Sequence, residues 1–121
     1  MSKKVKAAVE ALRKYGLEFP GAHLKSPWPN HEDLAVNDKT FVYLPVEGPF
    51  SISCKLSESS HEALQLPFTS PTSYGLGKWG WVTASFDDDM VPPLELFTGW
   101  IEESYRAQAP KKLVKELDAR G

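Results

Sequence analysis

Apolar residues recur at a helical spacing near the start of the chain and at a two-residue spacing through much of its middle. Val5, Ala8, Val9 and Leu12 fall three or four positions apart with lysines and arginines opposite them. This predicts an amphipathic helix from Ser2 to about Tyr15, with Gly16 as its C-terminal stop. In FSISCKL, Phe50, Ile52, Cys54 and Leu56 alternate with Ser51, Ser53 and Lys55, the pattern of a strand with one core face and one polar face. A second alternating run extends from Trp79 to Phe86. There Val82, Ala84 and Phe86 share the apolar parity, which sends Trp79, Trp81, Thr83 and Ser85 to the other side. DLAVNDKTFVYLPV reads as two short extended runs around a turn at Asn37 and Asp38, a hairpin. Helical spacing returns after Pro92 and Pro93, where Leu94, Phe97, Ile101 and Tyr105 mark the apolar face of a long helix. Pro110 ends or bends it, and Lys111 to Leu117 form one more short helix.

Other segments carry weaker signals. Phe19 to Asp33 contains Pro20, Pro27 and Pro29 and holds at best a short edge strand. Ser57 caps a short helix that ends before Pro67, Phe68 to Lys78 is loop, and Asp87, Asp88 and Asp89 form an acidic turn. The elements together predict an α+β fold. Its antiparallel sheet has about four to five strands, with an N-terminal helix, a short middle helix and a long C-terminal helix. A chain of 121 residues supplies one hydrophobic core, so residues 1–121 are expected to form a single domain. With 41% hydrophobic and 25% charged residues, the balance is that of an ordinary globular protein. No stretch approaches the ~20 apolar residues needed to span a bilayer, so no membrane partner and a cytoplasmic location are expected.

Charge changes the picture more through its distribution than through its total of −2. Residues 1–14 carry a net +4 and residues 105–121 a net +3, which leaves −9 for the middle. A polyanion would be drawn to the terminal segments and repelled by much of the rest. Candidate chemistry is sparse. His23, His31 and His61 have no partner at metal-ligand spacing and read as surface or turn histidines. Cys54 shares the buried parity of Ile52 and Leu56, the place of an inert core thiol. YGLGKWGW, from Tyr74 to Trp81, lacks the spacing of a phosphate-binding loop and leads into a strand, so a tight turn explains its glycines. The aspartates at 87–89 lack the spaced oxygen ligands and glycine of a calcium loop. No metal, no cofactor and no catalytic activity are expected.

A binding surface remains: Lys55 on the polar face of one strand, with Lys78, Trp79 and Trp81 on or beside another. Such aromatics next to cations can stack on bases or grip a peptide; burial of both tryptophans beneath the terminal helices is the competing reading. The motifs VNDKTF (Val36 to Phe41), SISCKL (Ser51 to Leu56), GWV (Gly80 to Val82) and WIEESYRAQAPKKL (Trp100 to Leu113) together resemble the MmcQ/YjbR-like family, small bacterial domains described as DNA-binding. The resemblance implies a double-wing α+β fold whose β-hairpins approach DNA. It matches the family's turn residues to Asp38 and Lys39, its strand-end lysine to Lys55, its glycine-tryptophan step to Gly80 and Trp81, its Ser-Tyr pair to Ser104 and Tyr105, and its basic tail to Lys111 and Lys112. The expected nucleic-acid contacts are therefore Lys39, Lys55, Lys78, Trp79, Trp81, Ser104, Tyr105, Lys111 and Lys112. A peptide, a protein or a second copy of the chain, held by the Trp/Tyr surface, is the rival partner.

Overall fold

The computed structural model describes residues 1–26, 29–87, 90 and 92–120. Asp88 and Asp89 of the expected acidic turn, and Pro27, lie outside the described residues. The elements follow in the order α1 (Lys3–Leu17), β1 (Ala22–Lys25), β2 (Asp33–Val36), β3 (Lys39–Tyr43), β4 (Ser51–Lys55), α2 (Ser60–Ala63), β5 (Thr69–Pro71), a 3₁₀ turn (Leu76–Trp79), β6 (Trp81–Ser85), α3 (Leu94–Gln108) and α4 (Lys111–Ala119). The architecture is α+β, as the sequence predicts. Among the described residues six strands form one sheet in the order β1-β2-β3-β4-β6-β5, every neighbouring pair antiparallel. The sixth strand comes from the segment read as loop: Thr69–Pro71 pairs with β6 at the sheet edge. Three residues ending in proline show no hydrophobic alternation, and an edge is where a sheet tolerates proline.

α1 packs on β1 and β2, α3 packs on β3 and β4, and the two helices touch each other. Between helices and sheet, Val5, Val9, Leu12, Leu34, Ile52, Cys54, Val82, Phe97 and Ile101 form a continuous buried core. Phe50, Ile52, Cys54 and Leu56 are all fully buried, as their alternation requires. The first helix outruns its expected end. Gly16 lies inside it and is buried, and a methyl group there would overlap Leu34. The glycine serves close helix–sheet approach rather than termination.

The β2–β3 hairpin turns on Asn37 and Asp38, with φ of 51° and 63°, the two left-handed residues that a tight two-residue hairpin turn demands. One irregularity follows it. Leu34 faces Val42 while Ala35 faces Thr40, so Phe41 is an extra residue in β3, and pairing with β4 is registered only at Val42 and Tyr43. The bulge lets Phe41 and its neighbour Val42 both be buried. It also opens a gap in the ladder, which α3 closes: the Lys55 amide donates to Ser104 Oγ at 2.8 Å, and Ser104 Oγ donates to the Phe41 carbonyl at 2.5 Å. One turn on, Gln108 Nε2 donates to the Thr40 carbonyl at 3.1 Å. Tyr105, between them on the helix, donates its hydroxyl to the Pro20 carbonyl at 2.6 Å and sets its ring edge-on to Phe19 and Phe41, 4.9 and 5.4 Å away.

The middle helix is shorter than its sequence suggests and is not capped by Ser57. Glu103 of α3 takes that role from a distance, accepting from the amides of Glu58 and Ser59 at 3.1 Å each and from Ser59 Oγ at 2.7 Å. Pro110 separates α3 from α4 rather than bending one helix. No helix among the described residues is long and apolar enough to cross a membrane.

Candidate nucleic-acid interface

Strand direction sorts the candidate residues. β2 and β4 finish, and β3 and β6 begin, at the same end of the sheet, where β5 also finishes. Lys39 opens β3 there, Lys55 closes β4 opposite Trp81, and the connection from β5 to β6 carries Lys78 and Trp79. The α3–α4 corner joins this end through the Gln108 bond to Thr40 and through Leu113, which lies against Gly21 just before β1. Lys111 and Lys112 are the first two residues of α4 and are exposed. Neighbouring strands lie ~4.8 Å apart, so the row from β2 across to β5 spans about 19 Å. Five lysines distant in sequence thus share one rim of the sheet.

The aromatic part of this rim is the loop Thr72 to Gly80. Gly75 and Gly80 flank its 3₁₀ turn with φ of 78° and 90°. A side chain on Gly80 would press on the Leu56 carbonyl, and one on Gly77 would collide with Pro71, so the glycines fix how closely the loop lies on the sheet end. Leu56 anchors it by donating its amide to the Gly80 carbonyl at 2.8 Å. Trp79 stands out from this frame with 65% of its surface exposed, and Lys78 Nζ lies 5.8 Å from its ring centroid.

Sequence parity placed Trp79 on the strand beside Trp81, but the left-handed Gly80 starts the strand only at Trp81 and turns Trp79 outward. The two tryptophans consequently part. Trp81 does sit off the main core, on the sheet face away from α3, yet it packs beside Tyr43 (ring centroids 5.3 Å apart) and is only 5% exposed. It has almost no surface for a base. Ser104 and Tyr105 are also corrected: both are fully buried, and their hydroxyls are used within the fold. They hold the rim together from inside rather than meeting a ligand.

Two residues of the rim were not singled out from sequence. Tyr74 is fully exposed and is one of three described non-glycine residues with positive φ, at 61°. An aromatic residue beside glycine in a Ser/Thr/Pro-rich loop was the available signal. Lys25 sits far down β1, but its ammonium reaches the hairpin turn and donates to the Asp38 carbonyl at 3.0 Å; only tertiary structure shows that. Asp38 itself is almost wholly exposed, within 3.8 Å of His23, and puts one negative charge among the lysines.

A family model named YjbR matches residues 17–107 of this sequence, from the end of α1 to the last turns of α3. The chain belongs to the YjbR family. Lys39, Lys55, Lys78 and Trp79 fall inside the part of this YjbR chain that matches, whereas Lys111 and Lys112 fall beyond it. Two solved structures share the fold. One, a crystal structure of a Deinococcus radiodurans protein with the domain DUF419, has a TM-score of 0.66 at 23% identity and covers 87% of this chain and 80% of its own. The other, a protein from Pseudomonas syringae, has a TM-score of 0.62 at 18% identity and covers 89% of this chain and 99% of its own. No curated protein matches the sequence.

The opposite end of the YjbR sheet has a different character. Arg13 is buried and donates to the carbonyls of Glu32 and Pro45, at 3.1 Å each. Burial lowers its pKa from the ordinary value, against the pull of Glu32, Glu10 and Asp33. Asp33 is fully buried, accepts from the Leu44 amide at 2.9 Å, and lies 3.1 Å from His31 Nδ1. His31 is therefore a half-buried partner of Asp33 rather than a bare turn histidine. A cavity of about 240 Å³ beside Arg13 is lined by both signs of charge, with Lys6, Glu10 and Glu32. Cys54 is the core thiol its parity predicts, and burial pushes its pKa well above the usual range, which suppresses the thiolate a nucleophile requires. Among the described residues, no three His, Cys, Asp or Glu side chains are grouped to hold a metal ion.

Proposed function

We propose that this YjbR-family chain is a DNA-binding, nucleic-acid-associated domain that acts by binding and not by catalysis. The observation that carries the reading is the shared rim: Lys39, Lys55, Lys78, Lys111 and Lys112 come to one end of the sheet together with the exposed Trp79. In this reading the β2–β3 turn and the β5–β6 loop are the two wings. Lysines contact phosphates and fix the register, while the aromatic loop meets bases. A cytoplasmic location follows from such a ligand. The acidic middle of the sequence, at a net −9, keeps affinity modest.

Salt provides the test. Each phosphate contact releases counterions, so affinity should fall steeply as salt rises, with a log–log slope of about 0.7–0.9 per contact. The Lys111→Glu/Lys112→Glu double variant is expected to weaken binding and to flatten that slope by about 1.4–1.8, read by fluorescence titration from low to physiological salt. The absence of binding at low salt would sink the reading and leave the aromatic loop as a peptide or self-association site, for which affinity should barely respond to salt.

A further inference from the structure

Tyr74 and Trp79 share a loop that the fold has no use for as a hydrophobic element. Tyr74 is wholly exposed, yet its backbone holds a left-handed conformation that ordinarily falls to glycine, at φ 61°. A tyrosine there strains the backbone and recovers nothing from packing. Glycine would serve the turn better, as Gly75 does in the next position. The side chain of Lys78 crosses the loop: its Cε is the atom nearest to where a Gly75 side chain would begin, 3.9 Å away, and its Nζ reaches the Trp79 ring. The loop thus presents two exposed aromatic rings with a cation between their anchor points.

We infer that the nucleic acid this rim takes is single-stranded, with an unstacked base laid on the Trp79 indole, a neighbouring base offered to Tyr74, and Lys78 on the phosphate between them. The inference rests on the nucleic-acid reading above and narrows it. Base faces in a duplex are already stacked on each other, so a flat exposed indole has a partner only where bases are free or are first pulled apart at a cost. Charge argues the same way. A duplex carries one negative charge per ~1.7 Å of axis and is stiff, whereas the rim offers five lysines spread from the α3–α4 corner to the β5–β6 loop, with exposed Asp38 beside Lys39 and exposed Glu58 three residues after Lys55. The protein as a whole is net negative, at −2. A flexible strand can follow the lysines and turn its phosphates away from these carboxylates. A rigid duplex laid across the rim brings a second charged backbone toward the acidic remainder.

The test compares a labelled oligothymidylate with a duplex of equal length, by anisotropy and tryptophan quenching, using the full chain and the variants Trp79→Ala and Tyr74→Gly. Both sites are exposed, and glycine suits the left-handed backbone at 74, so the variants should keep the wild-type circular dichroism and melting temperature. The wild type is expected to bind the single strand more tightly than the duplex. Trp79→Ala should lose about fivefold to a hundredfold of single-strand affinity, and Tyr74→Gly should lose affinity while matching or exceeding wild-type stability. Equal or tighter duplex binding, or single-strand binding indifferent to Trp79→Ala, overturns the inference and leaves the wider reading standing. Failure to bind either form at low salt removes the wider reading and this inference with it.

Discussion

Tyr105→Ala is expected to remove about 3–5 kcal/mol of stability, the usual loss when a large buried aromatic side chain is truncated. Its ring is the hub where α3 meets the segment after α1 and the bulge of β3, edge-on to both Phe19 and Phe41. Its hydroxyl answers the buried Pro20 carbonyl, which would lose its partner. Tyr105→Phe keeps the ring and gives up only that bond, so it should cost about 1–3 kcal/mol. Urea denaturation of the two variants separates packing from hydrogen bonding. Since domains of this size are commonly stable by only about 5–15 kcal/mol, the alanine variant should be close to unfolding at physiological temperature. Wild-type stability for Tyr105→Ala would show that the side chain is not core, and would return it to the surface where sequence resemblance first placed it.

Ser104→Ala is the second large effect, out of proportion to the single oxygen removed. That oxygen accepts from the Lys55 amide and donates to the Phe41 carbonyl, bridging β3 and β4 where the extra residue parts them. Deletion strands a buried carbonyl and a half-buried amide at once, each worth about 1–3 kcal/mol when unsatisfied, so a loss of about 2–6 kcal/mol is expected by denaturation. Hydrogen exchange gives the more specific signature. The Lys55 amide should lose protection far more than amides in β6, because its acceptor is gone while the β4–β6 ladder remains. Uniform loss across the sheet would mean that the hydroxyl does not act locally at the bulge.

These two residues also mark the boundary of what the sequence could tell. Alternation in FSISCKL and helical spacing at Val5–Leu12 and Leu94–Tyr105 identified core faces correctly, because local periodicity reports burial directly. The Asn37-Asp38 turn was legible from residue chemistry alone. What periodicity could not report is any bond closed over a long separation: Ser104 to Phe41, Glu103 to Ser59, or Lys25 to the Asp38 carbonyl. Ser104 and Tyr105 read as ligand contacts only through the family resemblance, although helical spacing already sets Tyr105 on the apolar face; both are internal fastenings. Trp79 and Trp81 failed differently. The two-residue rule does not carry across Gly80, whose left-handed backbone resets the parity, so one indole is covered and the other open. The lysines were individually unremarkable; strand order brought them together.

Amide chemical-shift mapping on the full chain, titrated with a short single-stranded oligonucleotide at low salt, tests the rim most directly. The result expected is a saturable set of shifts confined to the Asn37–Lys39 turn, the end of β4 from Lys55 to Ser57, the loop from Tyr74 to Gly80, and Lys111 and Lys112. Shifts gathered instead around Arg13, His31 and Glu32 at the far end of the sheet, or none that saturate, would contradict it.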